Sequence, residues 1–353
     1  MKILVVKRDK IGDLLLTTPL IAHLRHALPG ARVDVLANDY NAWVVADNPD
    51  VERVWVYRRT RHAGAVRVGA ALGQIRQFFA LRGEHFDVAI AAGGKESPRA
   101  IRRALAAHAA RTIAYAQQPH RYGRRLTDAL PPPVSGHEVE RIFGLVAPLG
   151  VAMPAVVPLP QFRPPQRWLD DARQWLAAAG IAPDAYVVLG LSARDAPKVP
   201  SREQVLRWAA RLQRESGCAT LLQFTPGDAG NALYPGSDAL AREILAGAPP
   251  FLRGTPDGLP AAIGLIWLAR TSVLPDSGLM HFAAASPGGV VGLFVDCARL
   301  SSPAQWGPRG PRAVALEAHR AVAALDDAAV FAALAPLLTA RTGDTPLRRS
   351  AAT

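Results

Sequence analysis

The chain alternates between short apolar runs and longer segments in which apolar residues recur at helical spacing. Ile3–Val6 is an apolar run, and leucines and isoleucines recur at helical spacing over Leu14–Leu28. Val33–Leu36 is the next apolar run, so the opening of the chain predicts a βαβ unit. Further runs at 54–57 and 88–91 continue the pattern. Such alternation is typical of α/β proteins with parallel sheets.

A proline-dense stretch interrupts this pattern. Residues 154–166 contain five prolines, as interdomain linkers often do. Strand and helix patterns then alternate again, beginning at Tyr186–Leu189. A chain of 353 residues is long enough for two domains with separate cores. We therefore predict two Rossmann-like, doubly wound α/β domains, 1–153 and 167–340, that face each other across a cleft. We also predict a disordered tail over 341–353.

Composition excludes several classes of protein. Half of the residues are hydrophobic and a fifth are charged, as in soluble globular proteins. The first residues hold too few apolar positions between charges for a signal peptide, and the apolar stretch Leu259–Ala269 is too short to span a membrane. Cys218 and Cys297 are the only cysteines, which argues against a disulfide framework and a cysteine-based zinc site. We therefore expect a cytoplasmic protein.

The net charge of +12 is concentrated in one segment. Residues 58–125 hold fourteen Lys and Arg but three acids, which gives this segment a net charge of +11. Such a patch favours a polyanionic partner, whether nucleic acid, an anionic membrane surface or a phosphorylated substrate. Charge alone leaves open the alternative of an Arg-rich surface that is simply solvated.

Open parallel sheets bind ligands beyond the carboxyl ends of their strands, and four loops fall at such positions. They contain, in chain order, Asp13, the pair Ser192 and Lys198, Asp228, and the stretch 275–278. Asp13 can point into the cleft or cap the helix that follows it. None of these loops reads G-x-G-x-x-G or G-x-x-x-x-G-K-[ST], so a dinucleotide oxidoreductase or a P-loop NTPase is not indicated. No histidine pair has metal-ligand spacing.

The stretch Thr271–Ala285 predicts a strand that stops at Pro275 and a helix that starts directly afterwards. Asp276 or Ser277 can cap that helix. Gly278 leaves room for another group to approach the backbone. A helix N-terminus at the carboxyl edge of a sheet attracts anions, and phosphate above all. An ordinary capped strand-to-helix turn is the alternative.

Three stretches of the chain follow one known pattern. They are Met1–Val6, Ile11–Pro19 and Asp276–Ala285, with shorter matches at His137–Val139 and Gln305–Pro308. Together they resemble the family 9 glycosyltransferases, the heptosyltransferases of lipopolysaccharide core assembly. The resemblance implies a GT-B fold whose C-terminal domain binds a nucleotide-sugar, usually ADP-heptose, and whose N-terminal domain binds a phosphorylated lipid A–core acceptor. It also implies inverting transfer that needs no metal and no further cofactor.

The resemblance implies roles for residues of both domains. Asp13 falls where the family places the general base for the acceptor hydroxyl. Asp276 falls where the donor sugar is held, with Ser277 and Gly278 at the diphosphate, and Lys198 matches a lysine that neutralises the leaving diphosphate. The other implied positions are Ser192, Asp228 and His281 on the donor side and Lys10, Gly12, Lys95 and Arg121 on the acceptor side.

Under this resemblance the basic segment has an acceptor-binding role. We expect it to bind the phosphorylated acceptor at the anionic inner face of the inner membrane, with peripheral association and no nucleic-acid partner. Two alternatives stay open. One keeps the fold but makes the protein a transferase or epimerase that uses a UDP- or GDP-sugar, and the other is a non-catalytic module that binds polyanions.

Overall fold

The computed structural model describes residues 1–58, 61–62, 65–66, 68–119, 121–227, 236–296 and 298–339. The chain divides into two compact units, Met1–Arg163 and Pro164–Thr353. Asp228, for which the resemblance implies a donor-side role, and the tail 341–353, for which we predict disorder, lie outside the described residues.

Unit 1 contains a six-stranded parallel sheet and a short hairpin. Its strands are β1 (Lys2–Val6), β2 (Arg32–Asn38), β3 (Arg53–Tyr57), β4 (Arg61–His62), β5 (Ala65–Val66), β6 (Val88–Ala91), β7 (Arg111–Tyr115) and β8 (Asp128–Leu130). Its helices are α1 (Ile11–Leu15), α2 (Thr18–Ala27), α3 (Val68–Gly83), α4 (Pro98–Ala106) and α5 (Glu138–Phe143). The sheet order is β3-β2-β1-β6-β7-β8, with all neighbours parallel. Strands β4 and β5 pair antiparallel.

Strand β1 lies at the centre of this sheet. Its residues Ile3–Val6 are fully buried, as expected for a parallel strand that is covered on both faces. The chain continues from β1 to β2 on one side, and β6 pairs with β1 on the other. This reversal is the topological switch point, beyond which doubly wound sheets bind their ligands. The loops after β1 and β6 are therefore candidates for ligand binding, and we call them the ligand-facing loops of unit 1.

Unit 2 repeats the same architecture. Its strands are β9 (Tyr186–Gly190), β10 (Ala219–Gln223), β11 (Leu252–Gly254), β12 (Thr271–Pro275), β13 (Val290–Asp296) and β14 (Ala313–His319). Its helices are α6 (Gln166–Ala179), α7 (Arg202–Ser216), α8 (Asp238–Leu245), α9 (Leu259–Leu268), α10 (Gly278–Ala285), α11 (Pro303–Trp306) and α12 (Asp327–Thr339). The sheet order is β11-β10-β9-β12-β13-β14, again parallel.

The switch point of unit 2 lies between β9 and β12. These two strands approach closely where β9 ends, because that residue is Gly190. An ideal Cβ placed on Gly190 would lie 2.5 Å from Leu274 Cδ2, which is closer than side chains can pack. The glycine therefore allows the loop after β9 and the turn after β12 to emerge next to each other.

Candidate functional site

A buried ion pair lies at the switch point of unit 2. The Lys198 ammonium donates to Asp276 Oδ2 at 2.7 Å. Lys198 is 5% exposed, and its Nζ also lies 3.5 Å from Asp195 Oδ2 and 3.5 Å from Ser301 Oγ. A buried cation is costly unless charge and hydrogen-bond partners compensate for lost hydration. The pair thus ties the loop after β9 to the residue that directly follows β12.

The ion pair leaves the start of helix α10 without a side-chain cap. Ser277 occupies the N-cap position in an extended conformation, but its side chain makes no capping hydrogen bond. The Asp276 carboxylate turns to Lys198 instead. The prediction that Asp276 or Ser277 caps this helix is therefore wrong, because the Asp276 carboxylate is engaged by a cation and the Ser277 side chain makes no capping hydrogen bond. The first turn, which begins at Gly278 and contains the buried His281, keeps its N–H groups free of a side-chain cap.

Hydroxyl groups join the loops that follow β9 and β10. Ser192 Oγ and Thr225 Oγ1 lie 2.8 Å apart. Ser237 donates through Oγ to the Leu191 carbonyl at 3.0 Å, and through its backbone N–H to the Thr225 carbonyl at 3.1 Å. Sequence reasoning found Ser192 but missed Thr225 and Ser237. The sequence gives little indication of their role, since each is a single hydroxyl residue in a turn-rich segment.

Asp13 lies in the first turn of α1. Its Oδ2 accepts a hydrogen bond from the Lys10 backbone N–H at 2.9 Å, and its carbonyl accepts one from Thr17 Oγ1 at 2.8 Å. The side chain is partly exposed, and Oδ1 has no hydrogen-bond partner within the described part of the chain. Asp13 therefore holds the start of α1 with one carboxylate oxygen and keeps the other available. Lys10 is exposed beside it, and Gly12 is buried.

Two buried asparagines hold the backbone that leads to Asp13. Asn38 Nδ2 donates to the Arg8 carbonyl at 2.6 Å. Asn41 Nδ2 donates to the carbonyls of Lys7 and Asp9 at 3.4 and 3.3 Å. The two asparagines are also linked to each other, because Asn38 N–H donates to Asn41 Oδ1 at 2.9 Å. Three consecutive loop carbonyls are thus satisfied by side chains at the end of β2, and sequence reasoning did not find this arrangement.

A second buried lysine lies beneath the same loop. Lys7 is 1% exposed, and its Nζ lies 3.6 Å from Asp9 Oδ2 and 4.0 Å from Glu138 Oε1. Glu138, at the start of α5, accepts a hydrogen bond from the Gly94 N–H at 2.8 Å. This network connects the loop after β1 with the loop after β6, so the two ligand-facing loops of unit 1 are fixed relative to each other.

The predicted acceptor-side cations lie in neighbouring loops at the same edge of the sheet. Lys95 is exposed in the turn after β6, and Arg121 is exposed in the segment after β7. Glu96 connects these loops, because its carboxylate accepts from Tyr122 Oη at 2.7 Å and from the Gln117 N–H at 2.9 Å. Partial burial, followed by the hydrogen bond to Glu96, raises the pKa of Tyr122. The carboxyl edge of unit 1 thus places the partly exposed Asp13 carboxylate near the exposed cations Lys10, Lys95 and Arg121.

Comparison with known proteins identifies the family. The model of glycosyltransferase family 9 (heptosyltransferase) matches residues 75–328. The chain belongs to glycosyltransferase family 9. Among curated proteins, this family 9 chain is 26% identical over 183 residues to lipopolysaccharide heptosyltransferase 3 of Escherichia coli, a match that covers 52% of each protein. The chain therefore spans about half the length of that curated relative.

Several solved structures match nearly the whole chain. A glycosyl transferase family 9 protein from Veillonella parvula superposes with a TM-score of 0.76 at 17% identity, over 96% of this chain and 97% of that one. The E. coli heptosyltransferase WaaC with ADP superposes with a TM-score of 0.73 at 20% identity, over 96% and 100% of the two chains. These matches confirm the predicted GT-B type of fold with two Rossmann-like units.

Metal sites and membrane spans are both absent from the described residues. No group of three or more His, Cys, Asp or Glu side chains within the described ranges is placed to hold a metal ion. Among the helices of the described residues, none has both the length and the apolar character that crossing a membrane requires.

Proposed function

We propose that this family 9 protein transfers a heptose, or a related sugar, from ADP-heptose to a phosphorylated lipopolysaccharide-core acceptor. The observation that carries the proposal is the buried Lys198–Asp276 pair beside the uncapped start of α10. A leaving diphosphate needs positive potential, and a lysine next to a helix N-terminus supplies it. The family supports heptose as the sugar, and the ADP bound by the E. coli relative WaaC supports the nucleotide.

The reaction we propose is a single inverting displacement. The acceptor hydroxyl gives its proton to Asp13, and its oxygen forms a bond to the anomeric carbon of the donor sugar. The bond from that carbon to the phosphate oxygen breaks, and its electron pair leaves with the ADP. Lys198 and the N–H groups at Ser277 and Gly278 stabilise the negative charge that develops on the diphosphate. These groups fill the role that a metal ion plays in other transferases, which supports metal-independent transfer.

The remaining donor-side residues complete this proposal. We assign Asp276 to the sugar hydroxyls, which it can reach once the diphosphate has drawn Lys198 away. Ser192 would donate to a phosphate oxygen, His281 would support the first turn of α10, and Asp228 would hold the ribose. In this scheme the donor-binding domain is 167–340, preceded by the proline-rich linker.

The acceptor side belongs to domain 1–153. We propose that Lys10 and Gly12 line the acceptor next to Asp13, and that Lys95 and Arg121 bind its phosphates. The enzyme would work in the cytoplasm at the inner face of the inner membrane, where such an acceptor is anchored. The exposure of Lys10, Lys95 and Arg121 at one sheet edge supports this assignment.

Thermal stabilisation by nucleotides tests the donor. A ligand that binds the folded state raises the melting temperature by mass action. We expect ADP to raise it more than UDP or GDP, Lys198→Ala to remove most of this shift, and Asp276→Ala to enlarge the ADP shift while abolishing sugar transfer. Arg214→Ala, which removes an exposed cation of α7, is the matched control and should behave as the native protein.

Each other outcome selects an alternative. A selective shift with UDP or GDP would replace ADP-heptose by another nucleotide-sugar, and product mass would then separate transfer from epimerisation. No shift with any nucleotide, together with salt-sensitive polyanion binding that persists in Asp13→Ala and Asp276→Ala, would reject the transferase in favour of a binding module. Loss of transfer in Asp13→Asn with an unchanged ADP shift would support Asp13 as the base.

A further inference from the structure

Helix α3 presents two large apolar side chains to solvent. Ile75 is 54% exposed and Phe79 is 64% exposed. Residues four apart lie one helical turn apart on the same face, so these two side chains are neighbours. The opposite side of the helix is anchored in unit 1, where Leu81 is buried. Single exposed apolar residues are common on protein surfaces, but an adjacent pair on one helix face indicates a contact surface.

The outward position of Phe79 is supported by its neighbours. The rings of Phe78 and Phe79 pack edge to face, with centroids 5.5 Å apart and an interplanar angle of 80°. The Arg82 guanidinium carbon lies 4.5 Å from the centroid of the Phe78 ring. Phe78 is thus held between Arg82 and Phe79, while Phe79 itself stays largely exposed.

The chain segment that contains these apolar residues carries charge of one sign. Residues 58–83 contain six arginines and neither Asp nor Glu. Arg76 is exposed next to Ile75, and Arg82 is partly exposed one turn further along. Glu84, the first acid after the segment, pairs with Lys2, Arg32 and Arg53 and so does not neutralise these arginines. The face defined by Ile75, Arg76, Phe79 and Arg82, which we call the α3 face, is therefore both apolar and cationic.

We infer that the α3 face docks on an anionic lipid bilayer. Phe79 and Ile75 would enter the boundary between headgroups and acyl chains, while Arg76 and Arg82 contact lipid phosphates. Nucleic acid would match the arginines but offers no apolar layer for an aliphatic side chain such as Ile75. The inference rests on the proposed function in one respect: the transferase needs a bilayer contact because its acceptor is anchored there.

Vesicle binding of the full-length protein tests this inference without any sugar transfer. We expect the protein to float with vesicles that contain phosphatidylglycerol and not with vesicles of phosphatidylcholine alone. Phe79→Ser should lower the partition coefficient about tenfold, since it removes most of one buried aromatic ring. Arg76→Gln should lower it about fivefold and reduce its salt dependence. Both residues are exposed, so unchanged melting temperatures should accompany these losses.

Two exposed valines of unit 1 provide matched controls. Val134 is 100% exposed and Val156 is 82% exposed, and both lie outside the basic segment. Val134→Ser and Val156→Ser should bind vesicles as the native protein does. Equal losses in these controls would overturn the inference. An unchanged partition coefficient in Phe79→Ser would also overturn it, as would salt-sensitive binding to RNA by a protein that does not bind vesicles.

The same variants separate the inference from the proposed function. Transfer to a soluble, delipidated acceptor should be unchanged in Phe79→Ser, whereas transfer to acceptor embedded in vesicles should fall. If the protein transfers sugar but does not bind vesicles, the docking surface is rejected and the proposed transferase activity is retained. Vesicle binding that Phe79→Ser abolishes, in a protein that transfers no sugar, would support the surface and reject the proposed reaction.

Discussion

Lys198 and Asp276 neutralise each other in unit 2. Their charged atoms lie 2.7 Å apart, and the two side chains are 7% and 10% exposed. Lys198 has a weaker second carboxylate partner in Asp195, at 3.5 Å, whose side chain is 41% exposed. A lysine that is buried next to a helix N-terminus faces repulsion from the positive end of the helix dipole, so the Asp276 carboxylate is what keeps it in place.

Removal of the Asp276 charge should therefore destabilise the protein until an anion replaces it. For Asp276→Asn we expect the free energy of unfolding to fall by about 3 kcal/mol, because a buried cation loses its main partner. ADP should then raise the melting temperature of this variant more than that of the native protein. Thermal denaturation with and without ADP measures both effects.

Asp195→Asn is the control for that experiment. Its longer and more exposed contact predicts a loss of about 0.5 kcal/mol and a native-like response to ADP. An ADP response in Asp276→Asn that is no larger than in the native protein would contradict the exchange of Asp276 for a phosphate at Lys198.

The Asn38–Asn41 arrangement predicts a positioning role for Asn41. Asn41→Ala leaves the carbonyls of Lys7 and Asp9 without their side-chain donor. We expect kcat to fall about tenfold with the KM for the donor unchanged, because the loop that positions Asp13 loosens. Hydrogen exchange should speed up in residues 7–13. The same substitution in an Asp13→Asn background should cause little further loss of transfer.

Asn48 offers a matched control for this prediction. Its Oδ1 accepts from the Asp50 N–H at 2.9 Å, so its side chain stabilises the turn at 48–50. Asn48→Ala should leave kcat and the exchange of residues 7–13 unchanged. Equal effects of the two asparagine substitutions would show that general destabilisation, rather than loop position, accounts for the loss.

Two adjacent glycines, Gly93 and Gly94, differ in how closely they pack against the Lys7–Glu138 network. A Cβ on Gly94 would lie 2.9 Å from Glu138 Cδ and 3.0 Å from Arg141 Cβ. A Cβ on Gly93 would meet its nearest atoms at 3.7 and 3.8 Å, which is normal contact. Gly94→Ala should lower the free energy of unfolding by about 2 kcal/mol, and Gly93→Ala by much less. Urea denaturation tests this, and equal losses would contradict it.

Asp327 links α12 to α7 through contacts that we expect to be sensitive to acid. Its carboxylate accepts from Trp208 Nε1 at 2.6 Å and from Arg207 Nε at 2.8 Å. The hydrogen bond to Arg207 lowers the pKa of Asp327 below its ordinary value of 3.8. A lowered carboxyl pKa stabilises the folded state above the unfolded value, and this stabilisation is lost as the pH falls through the folded pKa.

Asp327→Ala should cost about 2 kcal/mol at neutral pH, because the Nε1–H of the buried Trp208 loses its acceptor. The difference between variant and native protein should shrink as the pH falls below 3.8. Asp171→Asn, in an exposed position on α6, is the control and should change little. A difference that persists unchanged into acid would show that the carboxylate charge is not responsible.

Patterns along the chain predicted most of the fold because parallel strands buried on both faces are continuous apolar runs. Ile3–Val6 and Val88–Ala91 are such runs, and both are strands. The strands Arg111–Tyr115 and Ala313–His319 escaped prediction. The first contains Arg and Thr, which interrupt the apolar run, and the second carries Glu317 and His319 because it lies at the edge of its sheet and is partly solvated.

The candidate site was only partly predictable for a related reason. Asp276 and Lys198 were found because they lie in loops that follow strands and match the family pattern, yet their mutual contact depends on the pairing of β9 with β12. Glu138 is 44 residues away from Gly94, the residue to which it bonds. Asn38 and Asn41 resembled turn residues, and nothing local indicates that their amides face another loop.

The central position of β1 and β9 has a consequence for how the chain folds. Ile3 pairs with Val88 in unit 1, and Val187 pairs with Thr271 in unit 2, so each sheet is completed only when distant segments meet. Closing such long loops costs entropy before any sheet contact forms, and folds of high contact order reach the native state slowly. Each unit should therefore expose apolar strands such as Ile3–Val6 for an extended time, when chaperones and low protein concentration favour correct folding over aggregation.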